Sequence, residues 1–248
     1  AIWLAAWQGK KKPQVERPFT AVFAGNHGIA AKGVSAYPTE VTKQMVANFI
    51  HGGAAVNQLC GLADSDLRVY ELALDEPTAD FSEQPAMEEE DFVRAIAYGM
   101  MAVEEGVDVL AVGEMGIGNT TSAAAICLAL YGGDAADWVG RGTGVDDETL
   151  ALKTKLINQA IELHKPIFTD DPFQILRCVG GFELAAIVGA IIGEWFGASR
   201  GLGVIIVSAM QNYQINLLWA AVLIITIVSL LFYGLGSLAE RFIYRRFT

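Results

Sequence analysis

The 248-residue chain holds only three cysteines, Cys60, Cys127 and Cys178, and none sits in a CxxC pair or beside a histidine cluster. That scarcity argues against a disulfide framework and a metal site, and fits a reducing cytoplasm. Basic residues are also short: 17 Lys and Arg face 28 Asp and Glu, for a formal net charge of -11. With no basic stripe to neutralise phosphates, a nucleic-acid partner is excluded. The opening Ala1-Ile2-Trp3-Leu4 lacks a methionine, a basic region and a cleavage site, and so reads as a cut end without a signal peptide. There is no internal repeat and no low-complexity linker. Finally, charge itself runs out: no lysine follows Lys165, and no charged residue lies between Arg200 and Glu240.

That uncharged stretch contains the apolar run 215–238, long enough to cross a hydrocarbon core of roughly 30 Å. Arg241, Arg245 and Arg246 follow it, which would place the carboxyl terminus in the cytoplasm. The other meaning of such a run is a buried core helix, but those commonly carry a charged edge.

Upstream, strands alternate with helices. Residues 19–24 form a short apolar run that reads as a buried parallel strand, followed by the loop Gly25-Asn26-His27-Gly28. Residues 40–59 read as one helix with Thr39 as its N-cap, and 67–74 alternate as a strand. Residues 75–86, rich in Pro, Asp and Glu, read as an exposed loop. A helix over 87–105 with an acidic first turn and a strand over 107–112 come next. A glycine-rich turn, 113–121, then leads into an Ala-rich helix over 122–131. The pattern predicts an α/β fold with a parallel sheet, whose ligands sit at the carboxyl ends of the strands.

The turn Gly113-Glu114-Met115-Gly116-Ile117-Gly118-Asn119-Thr120-Thr121 carries the strongest chemistry. Glycines such as Gly116 and Gly118 let backbone approach a ligand, and a helix amino terminus offers free N–H groups to a phosphate. Asn119, Thr120 and Thr121 add side-chain donors. The order matches neither the Walker lysine loop nor the dinucleotide fingerprint, and an ordinary tight turn with an Asn or Thr cap would look the same. Glu114 would repel a phosphate from inside the turn. On its far side it can accept a proton or face a ribose, unless it is simply a capping or surface residue.

Two more loops repeat the theme. One is Gly140-Arg141-Gly142-Thr143-Gly144, before a helix bearing Lys153 and Lys155. It either wraps a phosphate or ribose or is an exposed connection. Lys153 can reach back to an anion, whereas Lys155 reads as a solvated helix position. The other is Gly180-Gly181-Phe182-Glu183. His27 stands alone, as either a substrate contact or a hydrogen-bonded loop residue. Tyr37, in Ser35-Ala36-Tyr37-Pro38, supplies an aromatic wall or just precedes a helix.

Four stretches carry a resemblance: FAGNHGIAAKGVSAYPTEVTKQMVANFIHGGAAVNQL, VGEMGIGNTTSAAAI, VGRGTGVDDETLALK and VGGFELAAIVGA. In this order they resemble the nicotinate-nucleotide–dimethylbenzimidazole phosphoribosyltransferase family of the cobalamin pathway. The resemblance covers most of 1–190. It implies a Rossmann-like parallel sheet with flanking helices, a homodimer, and a reaction that uses no metal or cofactor. The implied reaction moves a phosphoribosyl group from nicotinate mononucleotide to 5,6-dimethylbenzimidazole, giving α-ribazole 5'-phosphate. It also implies a phosphate site from Gly116, Gly118, Asn119, Thr120 and Thr121, completed by Gly140, Gly142, Gly180 and Gly181. Glu114 and Lys153 would lie near the reacting centre, and Tyr37 would line the benzimidazole pocket. The family's principal base, a glutamate in a Gly-Glu-Gly setting, belongs to a carboxyl-terminal portion with no counterpart here, and its first few dozen residues are expected to precede Ala1.

Residues 191–248 resemble instead the last membrane helix and tail of an ABC-transporter permease of the nitrate, sulfonate and taurine type. Taken together, the chain reads as two domains joined near residue 190: a nucleotide-binding core over 1–190 and a membrane-associating tail over 191–248. The competing readings are an inactive fusion, or a component of an importer.

Overall fold

A computed structural model describes residues 5, 8, 10–169 and 171–196. Strand β1 (Pro18–Gly25) has the most apolar stretch, and Phe19, Ala21, Val22, Phe23 and Ala24 are all buried. A strand covered on both faces belongs in the middle of a parallel sheet. It pairs in parallel with β2 (Asp66–Leu72) on one side and with β3 (Val109–Met115) on the other, giving the order β2-β1-β3. The registers place Val22 opposite Val69 and Phe23 opposite Glu114. The chain leaves β1 toward β2, then crosses back to β3, so a crevice opens at the carboxyl ends of β1 and β3.

The helices are α1 (Glu40–Ile50), α2 (Ala55–Ala63), α3 (Glu89–Met101), α4 (Asn119–Tyr131), α5 (Ala135–Trp138), α6 (Asp147–Phe168), α7 (Pro172–Val179) and α8 (Phe182–Phe196). Glu89, Glu90 and Asp91 occupy the first turn of α3, and Asp146 caps α6 by accepting from the Thr149 amide. Both devices satisfy or complement amides that a helix start leaves free. One apolar cluster joins the sheet to α3 and α8 through Phe19, Phe23, Leu72, Ala102, Ala186 and Ala190. A larger one gathers Phe81, Ala125, Leu128, Ile157, Leu176 and Val179 among α4, α6 and α7.

Helices α3 and α8 meet without an intervening side-chain layer. A Cβ on Gly99 would strike the backbone of Ala186, and one on Gly189 would strike the backbone of Ile96. Gly193 lies against Met100 in the same way.

Four expectations need correction. The single helix over 40–59 is two helices, because Gly52 adopts φ 78 and turns the chain between them. Thr39 precedes α1 in a helical conformation, but its side chain makes no capping bond. The segment 75–86 is not simply exposed: Thr78, Phe81, Ser82 and Ala86 are buried. The Thr78 amide donates to the Asn26 carbonyl at 3.1 Å, which draws the segment against the loop after β1. Lastly, Gly113 and Glu114 lie within β3, so the glycine turn begins only at Gly116.

Helix α8 carries the chain across residue 190 without a break, and one compact unit spans Ala1–Gly193. The apolar run 215–238 lies outside the described residues. Among those described, no helix is long and apolar enough to cross a membrane.

Candidate active site

Three loops converge at the crevice. After β1, Asn26 anchors its loop by donating Nδ2–H to the Leu74 carbonyl at 2.9 Å. After β3, the Ile117 amide donates to Thr42 Oγ1 of α1 at 3.2 Å. Gly118 then takes φ 100, a left-handed conformation suited to glycine, and starts α4. Between α7 and α8, Gly180 and Gly181 bring in the third loop; the Gly180 amide closes α7 on the Leu176 carbonyl at 2.8 Å.

At the meeting point lies a buried polar cluster. His27 Nε2 is 2.6 Å from Glu183 Oε1, and Asn119 Nδ2 donates to the same oxygen at 2.8 Å. Since Oε1 accepts from both, Nε2 is the nitrogen that carries hydrogen. His27 is 1% exposed, Glu183 0% and Asn119 5%, so this is a buried pair rather than a surface ion pair. Burial pushes the Glu183 carboxyl up, but His27, a backbone amide and Asn119 together outweigh it and hold the group below its ordinary range. Among the described residues, Glu183 Oε2, His27 Nδ1 and Thr121 Oγ1 have no hydrogen-bond partner.

The glycines serve this cluster as well as the backbone. A Cβ on Gly25 would lie 2.5 Å from Glu183 Oε2, and one on Gly181 would lie 2.6 Å from both Glu183 oxygens. A Cβ on Gly118 would lie 2.9 Å from that of His27.

One residue further along α4, Thr120 belongs to a second cluster. Lys153 of α6, 1% exposed, donates from Nζ to the Gly140 carbonyl at 2.8 Å and to Thr120 Oγ1 at 3.2 Å. Gly142, with φ 50, packs against Thr120 and this ammonium. No salt bridge reaches Lys153 among the described residues, and burial pushes its amine below the ordinary lysine range. A buried cation whose partners are neutral oxygens favours an anion beside it.

Glu114 keeps solvent contact at the end of β3 yet is crowded by protein. Desolvation, then repulsion from Glu183, raise its carboxyl above the ordinary value, with His27 opposing. Tyr37 is 54% exposed, and its stretch is tied to the second loop: the Ala36 amide donates to Thr143 Oγ1 at 3.0 Å. Thus Lys153, Thr120, Gly140 and Gly142 form one group. Asn119 and Gly181 join His27 and Glu183 in another, with Gly116 and Gly118 between them. Gly180 packs against Leu176 of α7. Sequence reasoning left His27 open and gave Glu183 no role. The available signal was a polar side chain within two residues of a glycine, His27 before Gly28 and Glu183 after Gly181.

An open parallel α/β protein with its polar loops gathered at the carboxyl edge of the sheet is the class these features define. A family model described as Phosphoribosyltransferase matches residues 1–208, and the chain belongs to that family.

The chain is 60% identical over 191 residues to the nicotinate-nucleotide–dimethylbenzimidazole phosphoribosyltransferase of Ruegeria sp. (strain TM1040), covering 77% of this chain and 56% of that protein. It is 57% identical over 192 residues to the protein of the same name from Methylocella silvestris, with the same coverages. Among solved structures it is similar to CobT from Thermus thermophilus, with TM-score 0.71 and 40% identity, covering 77% of this chain and 63% of that one. The chain therefore spans a little over half the length of the curated relatives it matches.

Proposed function

We propose that this chain carries the nucleotide-binding part of a nicotinate-nucleotide–dimethylbenzimidazole phosphoribosyltransferase. The observation that carries the reading is Lys153, a buried ammonium without a carboxylate partner among the described residues, beside Thr120 at the start of α4 and the Gly140–Gly142 loop. The phosphate of nicotinate mononucleotide supplies the missing anion. It completes the charge of Lys153 and meets the positive end of α4. The names of the relatives support the same substrates.

In this reading Glu114 faces the ribose. The C1′–N bond to nicotinate breaks, and its electron pair neutralises the departing pyridinium, so the leaving group needs no strong acid. Positive charge then gathers on the ribose, where the Glu114 carboxylate opposes it. One benzimidazole nitrogen forms the new bond to C1′ with its lone pair, and the other ring nitrogen releases its N–H proton to a carboxylate base. Tyr37, tied to the second loop through Ala36 and Thr143, lines the benzimidazole side. Orientation of two rings across C1′ supplies much of the remaining rate. A homodimer belongs to the same reading on the strength of the family resemblance. Membrane attachment through 215–238 rests on that run's hydropathy alone.

The test is calorimetry of the full chain with nicotinate mononucleotide and with its riboside, followed by an assay for α-ribazole 5'-phosphate. The expected result is that the mononucleotide binds at least about tenfold more tightly than the riboside, the equivalent of one charge-assisted contact. A folded chain that binds neither would overturn the proposal.

A further inference from the structure

Three segments far apart in sequence depend on one buried carboxylate. His27 follows β1, Asn119 opens α4, and Glu183 opens α8; His27 and Glu183 are 156 positions apart. Each lies in or beside a loop that shapes the crevice. The packing leaves no slack: Gly25 and Gly181 abut the Glu183 carboxylate, while Gly116 and Gly118 abut His27. Glu114 stands opposite Phe23 in the register, and Gly25, two residues further along β1 on the same face, abuts the Glu183 carboxylate, so Glu114 and Glu183 lie on one face of the sheet. The established family activity does not require a pair at this position for its fold alone, since an apolar pair of similar volume commonly packs as well or better.

We infer that His27 and Glu183 are a positioning pair: through Asn119 they fix the first turn of α4, and through their charges they set the ionisation of Glu114. The inference rests on the reading of Glu114 as the carboxylate at the reacting centre. Glu183, from α8, is the like charge that disfavours the Glu114 carboxylate, and His27, from the loop after β1, is the opposing cation. These are the charged groups acting on it among the described residues. Neither residue touches the reacting atoms in this arrangement. The Glu183 charge makes Glu114 a better proton acceptor and a charge on His27 opposes that effect, so the pair tunes the carboxylate as well as holding the helix.

The experiment is a titration of the Glu114 side-chain carboxyl by carbon-13 NMR in the full chain without substrate, with the resonance assigned from Glu114→Gln. Glu183→Gln removes the like charge, and the Glu114 midpoint is expected to fall. His27→Gln removes the cation, and the midpoint is expected to rise. Opposite shifts are the signature of charge; a loosened structure would move both midpoints the same way, toward the solvent value. Shifts of one sign, or none in either folded variant, overturn the inference. If Glu183→Gln does not fold, Glu183→Asp draws the charge back by one methylene and takes its place: a lower midpoint there with a higher one in His27→Gln supports the inference, and an unchanged one, or a fall in both variants, overturns it. The titration needs no ligand, so a chain that fails to bind nicotinate mononucleotide sinks the functional reading while leaving this result interpretable.

Discussion

Lys153 Nζ donates to the Gly140 carbonyl at 2.8 Å, bringing a helix-borne ammonium onto the loop thirteen residues before it. Both of its oxygen partners are neutral, so the charge is incompletely compensated in the ligand-free chain. Lys153→Met is therefore expected to leave stability unchanged or raise it by about 1 kcal/mol, the direction seen when buried charge gives way to apolar volume. The same change is expected to weaken nicotinate mononucleotide about tenfold to a hundredfold. Urea denaturation and calorimetry on one sample separate the two effects. A clear loss of stability would show that the lysine is structural.

The pH dependence of binding has a definite sign. Burial lowers the Lys153 amine from 10.5, so the unfolded chain holds this proton at pH values where the folded chain has released it. Stability rises with pH between the lowered folded value and 10.5, because the unfolded state binds more protons there. An anionic ligand favours the protonated amine, so mononucleotide affinity falls across the same window. Affinity measured from neutral pH upward checks this, with Lys153→Met expected to flatten the profile.

Glu114 behaves in the opposite sense. Its carboxyl is raised from 4.5, so the folded chain binds the extra proton between 4.5 and the raised value. Stability is lost as pH rises through that window. The difference in unfolding free energy between wild type and Glu114→Gln should show this slope, since the contributions of Glu183 and other carboxylates are common to both. A flat difference curve would mean that Glu114 titrates as an ordinary surface carboxyl.

Much of this was legible in advance, for identifiable reasons. The strand at 19–24 announced itself because a central parallel strand is apolar on both faces, and Val22 and Phe23 pack accordingly. The ligand loops were legible through their glycines. The helix break at Gly52 was hidden by apolar periodicity continuing on both sides of it. Phe81 was hidden by the Pro, Asp and Glu around it, yet it is one of the largest buried side chains. The link from His27 to Glu183 could not be seen because each residue finds its partner only when the sheet closes. Asn119 has the same history: its amide looked available to a phosphate, and one of its hydrogens goes to Glu183.

The glycines around that pair invite a paired comparison. Gly181→Ala places a methyl group 2.6 Å from the Glu183 oxygens and is expected to cost about 2 kcal/mol or more. Gly61 lies inside α2, where an added Cβ meets nothing within 4 Å. Gly61→Ala is expected to stabilise by roughly 0.5–1 kcal/mol through helix propensity. Denaturation midpoints of the two variants check both signs. Equal, small effects would mean that the loop at Gly181 yields.

The backbone contact between α3 and α8 acts as a mechanical datum. Sliding α8 by one residue would bring Val188 or Ala190 to the place of Gly189, and Ile192 to the place of Gly193. None of these fits where a glycine was needed against Ile96 and Met100. The helix thus has a single seating. Glu183 rides on it less than two turns from Gly189, so its depth in the crevice is gauged by the seating of α8 against α3. Wear at that joint, such as Gly99→Ala against Ala186, would reach Glu114 as a change in proton affinity without altering any residue at the crevice.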